Sequence, residues 1–106
     1  MSAIDRIQAQ LASHPVVLYM KGTPDFPQCG FSSRVVQALE ACHADYVHVN
    51  IFEDPEVREA LKEYSHWPTY PQLYINGELV GGCDIVIDLF NKGDLNNLLA
   101  NVGATH

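Results

Sequence analysis

Residues 16–32 read VVLYMKGTPDFPQCGFS, and the main structural signals of the chain lie in this stretch. Its first five residues, Val16 to Met20, are apolar throughout, as in a strand that is covered on both faces. A loop interrupted by glycine and proline follows from Lys21 to Gly30. Cys29 comes at the end of that loop, directly before a helical pattern. The stretch therefore predicts a buried strand, a long loop and a cysteine at the start of a helix.

Segments on both sides of this stretch alternate between helical and strand patterns. The first predicted elements are a helix capped by Ser2 and Asp5 with Ile4, Ile7 and Leu11 inward, and the strand Val16 to Met20. Next come a helix capped by Ser32 or Ser33 with Val35, Val36, Leu39 and Cys42 inward, and a strand from Tyr46 to Ile51. A helix begun by Asp54 and Pro55 follows, with Val57, Ala60, Leu61 and Tyr64 inward. The last elements are strands from Gln72 to Ile75 and from Leu79 to Val80, a helix capped by Asp84, and a helix from Asp94 with Leu95, Leu98 and Leu99 inward. The predicted order is αβαβαββαα.

This order predicts an α/β fold. The first strand–helix–strand unit should form a right-handed parallel connection. Asn76-Gly77 is the strongest short hairpin signal, so the last two strands should pair antiparallel. We therefore expect a four-stranded mixed sheet with helices on both faces. A length of 106 residues fits one domain, spanning residues 1–106.

Charge and composition exclude several classes of function. Six basic and thirteen acidic residues give a formal net charge of −7, which argues against binding to nucleic acid or to anionic lipid. No apolar run approaches the roughly 20 residues that span a bilayer, and the first residues lack the pattern of a secretory signal. Three cysteines at wide spacing argue against a secreted disulfide framework. We expect a protein of the reducing cytoplasm that binds neither nucleic acid nor membrane.

Cys29 is the candidate reactive residue. At the start of a helix its sulfur would lie near unsatisfied backbone N–H groups and the positive end of the helix dipole, which favour the thiolate. Lys21, at the end of the first strand, could add positive charge. The alternative is that Cys29 is a small buried residue in a turn. Ser32 stands where a Cys-x-x-Cys motif would have its second thiol.

The other cysteines and the histidines fit structural positions better. Cys42 lies 13 residues after Cys29, and the helix between them would separate the two by roughly 15 Å or more, beyond the roughly 7 Å that a disulfide allows. Cys42 also continues an apolar helix face, so we expect it in the core. Cys83 is either a structural or ligand-contacting residue or a resolving thiol, and it could be exposed. The histidines are scattered and fit surface or strand positions; they are His14, His43, His48, His66 and His106.

One convincing thiolate per chain limits the metal chemistry. Thiolate-bound clusters generally need four ligands. A cluster at Cys29 would therefore need ligands from outside the chain, for example from a second subunit and from small thiols. Two chains and two small-molecule thiols would complete the set.

Three separated motifs resemble those of the monothiol glutaredoxins. The first runs from Lys21-Gly22-Thr23-Pro24 to Cys29-Gly30-Phe31-Ser32, with a longer spacer between lysine and cysteine than in dithiol glutaredoxins. The others are Trp67-Pro68-Thr69-Tyr70-Pro71-Gln72 and Gly81-Gly82-Cys83-Asp84. The similarity extends from Ile4 to Leu99 and is greatest to the short, single-domain bacterial members.

The resemblance implies a thioredoxin fold that binds glutathione. Members of this family hold a two-iron two-sulfur (2Fe-2S) cluster between two subunits, bound by the active-site cysteine of each and by two glutathione thiolates. They transfer clusters to acceptor proteins, pair with BolA-type proteins and are poor general disulfide reductants. This chain would accordingly be a homodimer when it carries a cluster.

The resemblance also assigns residues to one end of the glutathione site. Cys29 would be the catalytic residue and the cluster ligand. Lys21 and Arg58 would pair with the glycyl carboxylate of glutathione. Without the resemblance, Arg58 fits a solvated charge on the outer side of its helix.

The remaining assignments concern the middle and the γ-glutamyl end of glutathione. The backbone of Tyr70, before a cis Pro71, would pair with the cysteine of glutathione. Cys83 and Asp84 open a helix whose N–H groups would bind the γ-glutamyl carboxylate, while the Asp84 side chain would bind the ammonium. Asp84 could also be a simple N-cap, and both roles are compatible.

Three functions are compatible with these residues. The leading one is an iron–sulfur cluster carrier. The alternative is a glutathione-dependent thiol–disulfide oxidoreductase that removes glutathione from proteins, a reaction for which one thiolate is sufficient. A third is an adaptor that serves mainly as a partner of BolA-type proteins. Phe26, in the loop before Cys29, either contacts a partner or packs locally.

Overall fold

The structure of the chain is a computed structural model that describes residues 2–105. The helices are α1 (Ala3–Ser13), α2 (Gly30–Ala41), α3 (Pro55–Ser65), α4 (Cys83–Asn91) and α5 (Asp94–Asn101), and the strands are β1 (Val16–Met20), β2 (Val47–Asn50), β3 (Gln72–Ile75) and β4 (Glu78–Gly81). Their order matches the predicted one. In this range no helix combines the length and apolar character needed to cross a bilayer. His106, one of the scattered histidines, lies outside the described residues.

The strands form a mixed sheet in the order β2-β1-β3-β4. Strand β1 pairs in parallel with β2, as the crossover predicted, and antiparallel with β3. Strands β3 and β4 form the predicted hairpin, and its turn residues Asn76 and Gly77 have φ of 53° and 78°. Asn-Gly is favoured there because a type I′ turn requires positive φ at both central residues. The predicted four-stranded mixed sheet is confirmed.

Alternate residues of β1 enter cores on opposite faces of the sheet. Val16, Leu18 and Met20 pack with apolar residues of α2, α4 and α5. Val17 and Tyr19 pack instead with residues of α1 and α3. All five residues of β1 are buried, which explains why the strand is apolar throughout. The prediction of helices on both faces is therefore confirmed.

The predicted apolar faces differ from the observed ones at their margins. The strand predicted from Tyr46 to Ile51 is shorter, Val47–Asn50, and Val47 is 37% exposed because β2 lies at the edge of the sheet. Ile51 is buried as predicted, but it follows β2 in a turn. Ile4 and Tyr64, which were predicted to face inward, are more than one third exposed, because each lies in the terminal turn of its helix. Leu98 of α5, also predicted to face inward, is 36% exposed.

An ion pair joins α1 to the start of α3. Ser2 and Asp5 form the predicted capping box of α1, and Asp54 caps α3 by accepting the N–H of Val57 at 3.2 Å. The Asp54 carboxylate also accepts two hydrogen bonds from Arg6 of α1, at 3.2 Å from Nε and 3.0 Å from Nη2. No sequence pattern indicated this pair, because its members are 48 positions apart. The pair orients α3 relative to α1.

We expect the Arg6–Asp54 pair to make stability depend on pH. Burial alone would raise the pKa of Asp54, but hydrogen bonds from Arg6 and from the Val57 N–H lower it below its usual value. A carboxyl group with a lowered pKa in the folded chain adds stability at neutral pH, and this contribution is lost as the pH falls below about 4 and through the folded-state value. Asp54→Asn keeps an N-cap but removes the charge, so it should cost about 1 kcal/mol at pH 7 and clearly less at about pH 3.

Urea unfolding at the two pH values measures the difference. Glu63→Gln is the control, since it removes an exposed carboxylate from the same helix. It should change the free energy of unfolding little at either pH. A cost of Asp54→Asn that is the same at both pH values would contradict the role of the pair.

Candidate functional site

The loop between β1 and α2 is folded back by its own backbone. Gln28 donates its N–H to the carbonyl of Lys21 at 2.9 Å. Gly22 has φ of +91°, and a Cβ at this position would lie 2.6 Å from the carbonyl oxygen of Phe26. The turn therefore requires glycine directly after Lys21. It returns the chain to the end of β1 just before Cys29.

Cys29, not Ser32 or Ser33, is the N-cap of α2. The helix is Gly30–Ala41, and Cys29 has the extended backbone of a capping residue, with φ of −150° and ψ of 136°. Ser32 lies inside the first turn and is fully buried, and its hydroxyl oxygen accepts the N–H of Lys21 at 3.2 Å. The predicted serine cap is wrong because the helix begins earlier and the Ser32 hydroxyl binds the end of β1 instead.

The first turn of α2 favours the anionic form of Cys29. The backbone N–H of Ser32 is the largest influence, and it lowers the pKa of the half-buried Cys29 thiol below its ordinary value. Partial burial opposes this effect, whereas the Phe31 N–H, the positive charge of Lys21 and the Ser32 hydroxyl add to it. The thiol is therefore suited to act as a nucleophile or as a metal ligand, both of which require the thiolate.

The other cysteines are poor candidates for this chemistry. Cys42 is 7% exposed in the core, as predicted, and burial raises the pKa of its thiol. Cys83 is 8% exposed at the start of α4. Burial raises the pKa of Cys83 too; the Arg34 cation opposes the rise, and the negative charges of Asp84 and Cys29 add to it. The expectation that Cys83 could be exposed is wrong, because α4 begins at this residue and packs it against the core.

A cavity of about 460 Å³ lies beside the first turn of α2. We call it the site cavity. Four of the residues that the family resemblance assigned to glutathione share it, although they come from three separate parts of the chain. Its lining residues are Lys21, Phe31, Trp67, Thr69, Tyr70, Pro71, Gly82, Cys83, Asp84 and Ile85.

Cys29 and Arg58 are not part of this lining among the described residues. Cys29 precedes the lining residue Phe31 by two positions, and the positive charge of the lining residue Lys21 helps to lower the pKa of its thiol. Cys29 therefore lies at the edge of the cavity. The carbonyl of Arg58 accepts the hydroxyl of the lining residue Tyr70 at 2.6 Å. Arg58 is half-buried, so the alternative of a fully solvated helix charge is wrong.

A buried glutamine holds the cavity wall that precedes β3. Gln72 is fully buried, and its side-chain nitrogen donates to the carbonyls of Trp67 and Thr69 at 3.0 and 3.2 Å. Its side-chain oxygen accepts the hydroxyl of Tyr74 at 3.0 Å. The Tyr70–Pro71 peptide bond within this wall is cis, as the resemblance implied. Sequence reasoning missed the role of Gln72; the available signal was a polar residue beginning an otherwise apolar strand.

Gly82, not Asp84, is the N-cap of α4. The helix is Cys83–Asn91, so Asp84 lies in its first turn and is exposed at the cavity. A Cβ on Gly82 would lie 3.1 Å from Nε1 of Trp67 and 3.3 Å from the carbonyl oxygen of Pro71. A side chain at position 82 would therefore press against the indole and against the carbonyl of the cis proline. The simple N-cap role of Asp84 is wrong, because the helix begins before this residue.

Two phenylalanines near Cys29 are exposed. Phe26 is 74% exposed in the loop before the cysteine, and Phe31 is 56% exposed in the first turn of α2. Phe26 therefore does not pack locally, which was one of the two alternatives for this residue. Large apolar side chains exposed together are typical of contact surfaces.

Comparison with known proteins identifies the family to which this chain belongs. The family model described as Glutaredoxin matches residues 16–80. The chain belongs to the glutaredoxin family. It is 47% identical to Glutaredoxin 4 of Pasteurella multocida (strain Pm70) over 106 residues, which cover 100% of this chain and 97% of that protein. The family resemblance inferred from the three motifs is confirmed.

Solved structures agree with this assignment. The solution structure of reduced apo GrxS14 from poplar is 49% identical, with a TM-score of 0.81 over 93% of this chain and 91% of that chain. The crystal structure of a buckwheat glutaredoxin–glutathione complex is 27% identical, with a TM-score of 0.86 over 98% of this chain and 93% of that chain. This glutaredoxin therefore has the expected thioredoxin fold.

We expect this glutaredoxin to be alkylated first at Cys29. Because the pKa of its thiol is lowered, the rate of iodoacetamide labelling at Cys29 should rise with pH at a midpoint below the usual free-thiol value of about 8.5. Cys42 and Cys83 are buried and should react only on unfolding. Ser32→Ala removes one of the groups that stabilise the thiolate, so it should raise the midpoint. Pulsed labelling over a pH series, read by mass spectrometry, measures both values.

Ser33→Ala is the matched control, because it removes a hydroxyl from the neighbouring position without changing a group that acts on Cys29. Its midpoint should equal that of the wild type. A wild-type midpoint at or above the free-thiol value would show that the first turn of α2 does not stabilise the anion.

Proposed function

We propose that this glutaredoxin is a carrier of 2Fe-2S clusters that binds glutathione. In this proposal a dimer holds the cluster through Cys29 of each subunit and two glutathione thiolates, and it passes the cluster to acceptor proteins. The observation that carries the proposal is a single half-exposed thiol with a lowered pKa at the edge of a cavity. A hydroxyl, that of Ser32, stands in the place of a second active-site thiol.

The site cavity supports the binding of glutathione. Lys21 contributes a cation at one end for the glycyl carboxylate, and Arg58 lies next to this wall. The start of α4, with Cys83 and Asp84, contributes N–H groups and a carboxylate at the other end for the γ-glutamyl group. Tyr70, whose backbone would pair with the cysteine of glutathione, also lines the cavity. The buckwheat relative, which has the same fold, was solved with glutathione bound.

The available donors support a cluster shared between two chains. Among residues 2–105 no group of three or more His, Cys, Asp or Glu side chains could hold a metal ion. Cys29 contributes one thiolate per chain, and four ligands are needed. Two subunits and two glutathione molecules complete the set. The cluster would then be cargo, and its transfer would require ligands of an acceptor protein to replace Cys29 and glutathione on the iron.

Exposed apolar groups around Cys29 support contacts with other proteins. Phe26 and Phe31 flank the cysteine and are exposed. We propose that they contact the second subunit, a BolA-type protein or an acceptor protein in turn. The same proposal places the protein in the reducing cytoplasm, because free thiols with a lowered pKa persist there.

A glutathione-dependent oxidoreductase is the second candidate, and the partial exposure of Cys29 favours it. The Cys29 thiolate would attack the glutathione sulfur of a glutathionylated protein, and the thiolate of that protein would leave. A second glutathione thiolate would then attack the Cys29–glutathione disulfide, release oxidised glutathione and restore Cys29. This cycle needs no second cysteine and no iron.

The carrier function predicts that Cys29 is essential for cluster binding. After anaerobic reconstitution with iron, sulfide and glutathione, the wild type should show the visible absorbance of a 2Fe-2S cluster and should elute as a dimer. Cys29→Ala should lose both properties, because it removes one ligand from each subunit. Cys42→Ala is the control and should keep both, since Cys42 is buried in the core. Spectra and size-exclusion chromatography give the answer, and a coloured dimer of Cys29→Ala would refute the ligand set.

The two candidate functions differ in their need for iron. If the carrier function dominates, metal-free protein should deglutathionylate a model substrate at least about 100-fold more slowly than a typical enzyme with kcat near 10 per second. Turnover can be followed by coupling oxidised glutathione to its reductase. Fast turnover without iron, abolished by Cys29→Ser, would instead support the oxidoreductase.

A further inference from the structure

Asn50, the last residue of β2, joins two loops near the site cavity. Its side-chain oxygen accepts the N–H of Gly22 at 3.1 Å and the N–H of Phe52 at 3.0 Å. Both partners are donors, so the hydrogen bonds require the oxygen and not the nitrogen of the amide at this position. A single acceptor atom thus connects the loop after β1 with the turn after β2.

The first of these loops carries Lys21. The N–H of Lys21 donates to the Ser32 hydroxyl at 3.2 Å, and its carbonyl accepts the N–H of Gln28 at 2.9 Å. The bond from Gly22 to Asn50 adds a third constraint directly after the lysine. Three hydrogen bonds therefore fix the backbone at Lys21 and Gly22, from which the Lys21 side chain reaches the cavity.

The second loop supports Arg58. The guanidinium carbon of Arg58 lies 5.6 Å from the centre of the Phe52 ring, within the range of a cation–π contact. The Nε atom of Arg58 is buried and has no hydrogen-bond partner among the described residues. Phe52 is 47% exposed. The guanidinium of this α3 residue thus packs on a side chain of the turn whose N–H is bound by Asn50.

We propose that Asn50 is a positioning residue that fixes the spacing of the Lys21 and Arg58 cations for one carboxylate of glutathione. The inference rests on the proposed glutathione function and extends it to a residue that touches no ligand. Two cations can share a carboxylate only when their separation matches its width. Lys21 begins the loop after β1, whereas Arg58 lies in α3 and packs on Phe52 of the turn after β2. One acceptor that binds both loops makes that separation a property of the ligand-free protein.

The test compares Asn50→Ala with the conservative Asn50→Asp. Asn50→Ala leaves both N–H groups to water and uncouples the loops, so it should weaken glutathione binding by about tenfold. Asn50→Asp retains acceptor oxygens and should bind glutathione within about threefold of the wild type. Asn97→Ala, on an exposed position of α5, is the matched control and should bind normally. Trp67 is the single tryptophan and lines the cavity, so its fluorescence reports the titration.

A second measurement does not depend on glutathione. In the ligand-free protein, Asn50→Ala should speed amide hydrogen exchange at both Gly22 and Phe52, whereas Asn50→Asp should leave both protected. Combined with Arg58→Ala, Asn50→Ala should cost less than it does alone, because one of the two cations to be positioned is already missing.

The outcomes separate this inference from the proposed function. If Lys21→Ala and Arg58→Ala both bind glutathione as tightly as the wild type, the proposed site is wrong and the role of Asn50 falls with it. If they bind weakly while Asn50→Ala binds normally, the site stands and the positioning role is wrong. Equal losses in Asn50→Ala and Asn50→Asp would also overturn it, because the acceptor would then not be the property that matters.

Discussion

The site depends on the position of β1 between a parallel and an antiparallel neighbour. Because β1 runs parallel to β2, the carboxyl ends of both strands meet at one edge of the sheet, with Met20 opposite Asn50. Because β1 runs antiparallel to β3, the amino end of β3 comes to the same edge, with Tyr19 opposite Gln72. This arrangement alone brings together three segments: the loop after β1 that begins with Lys21 (the lysine loop), the turn after β2, and the loop before β3 that contains the cis Pro71. The buried apolar surface on both faces of β1 keeps them there.

Three polar side chains convert this edge into a defined site. Gln72 binds two carbonyls of the loop before β3, Ser32 binds the N–H that begins the lysine loop, and Asn50 joins that loop to the turn after β2. In each case a side chain of a helix or strand satisfies backbone groups that the loop cannot satisfy by itself. Such buried or half-buried groups cost free energy unless they are paired, so they hold the loops in one arrangement.

The chemistry of the site follows from where the cysteines lie. Cys29 caps a helix at the cavity edge, where N–H groups and the Lys21 charge lower the pKa of its thiol, whereas burial raises the pKa of Cys42 and Cys83. One accessible thiol per chain is what the proposed cluster would need from each subunit, since the second subunit and two glutathione molecules would contribute the other three ligands. The same isolation limits internal disulfide chemistry, since Ser32 occupies the position of a resolving thiol.

Local patterns determined the elements of this protein, and the tertiary structure decided how their ends are used. Apolar periodicity, the Asn76-Gly77 turn and the caps at Ser2 and Asp54 act within a few residues, so the element order and the mixed sheet could be predicted. The starts of α2 and α4 could not, because the Ser32 hydroxyl binds the N–H of Lys21 directly after β1, and Gly82 caps α4 in close contact with the indole of Trp67. The links from Arg6 to Asp54 and from Asn50 to Gly22 likewise join residues far apart in the chain. Contacts of that kind depend on which loops the folded sheet brings to one edge, and no local pattern contains that information.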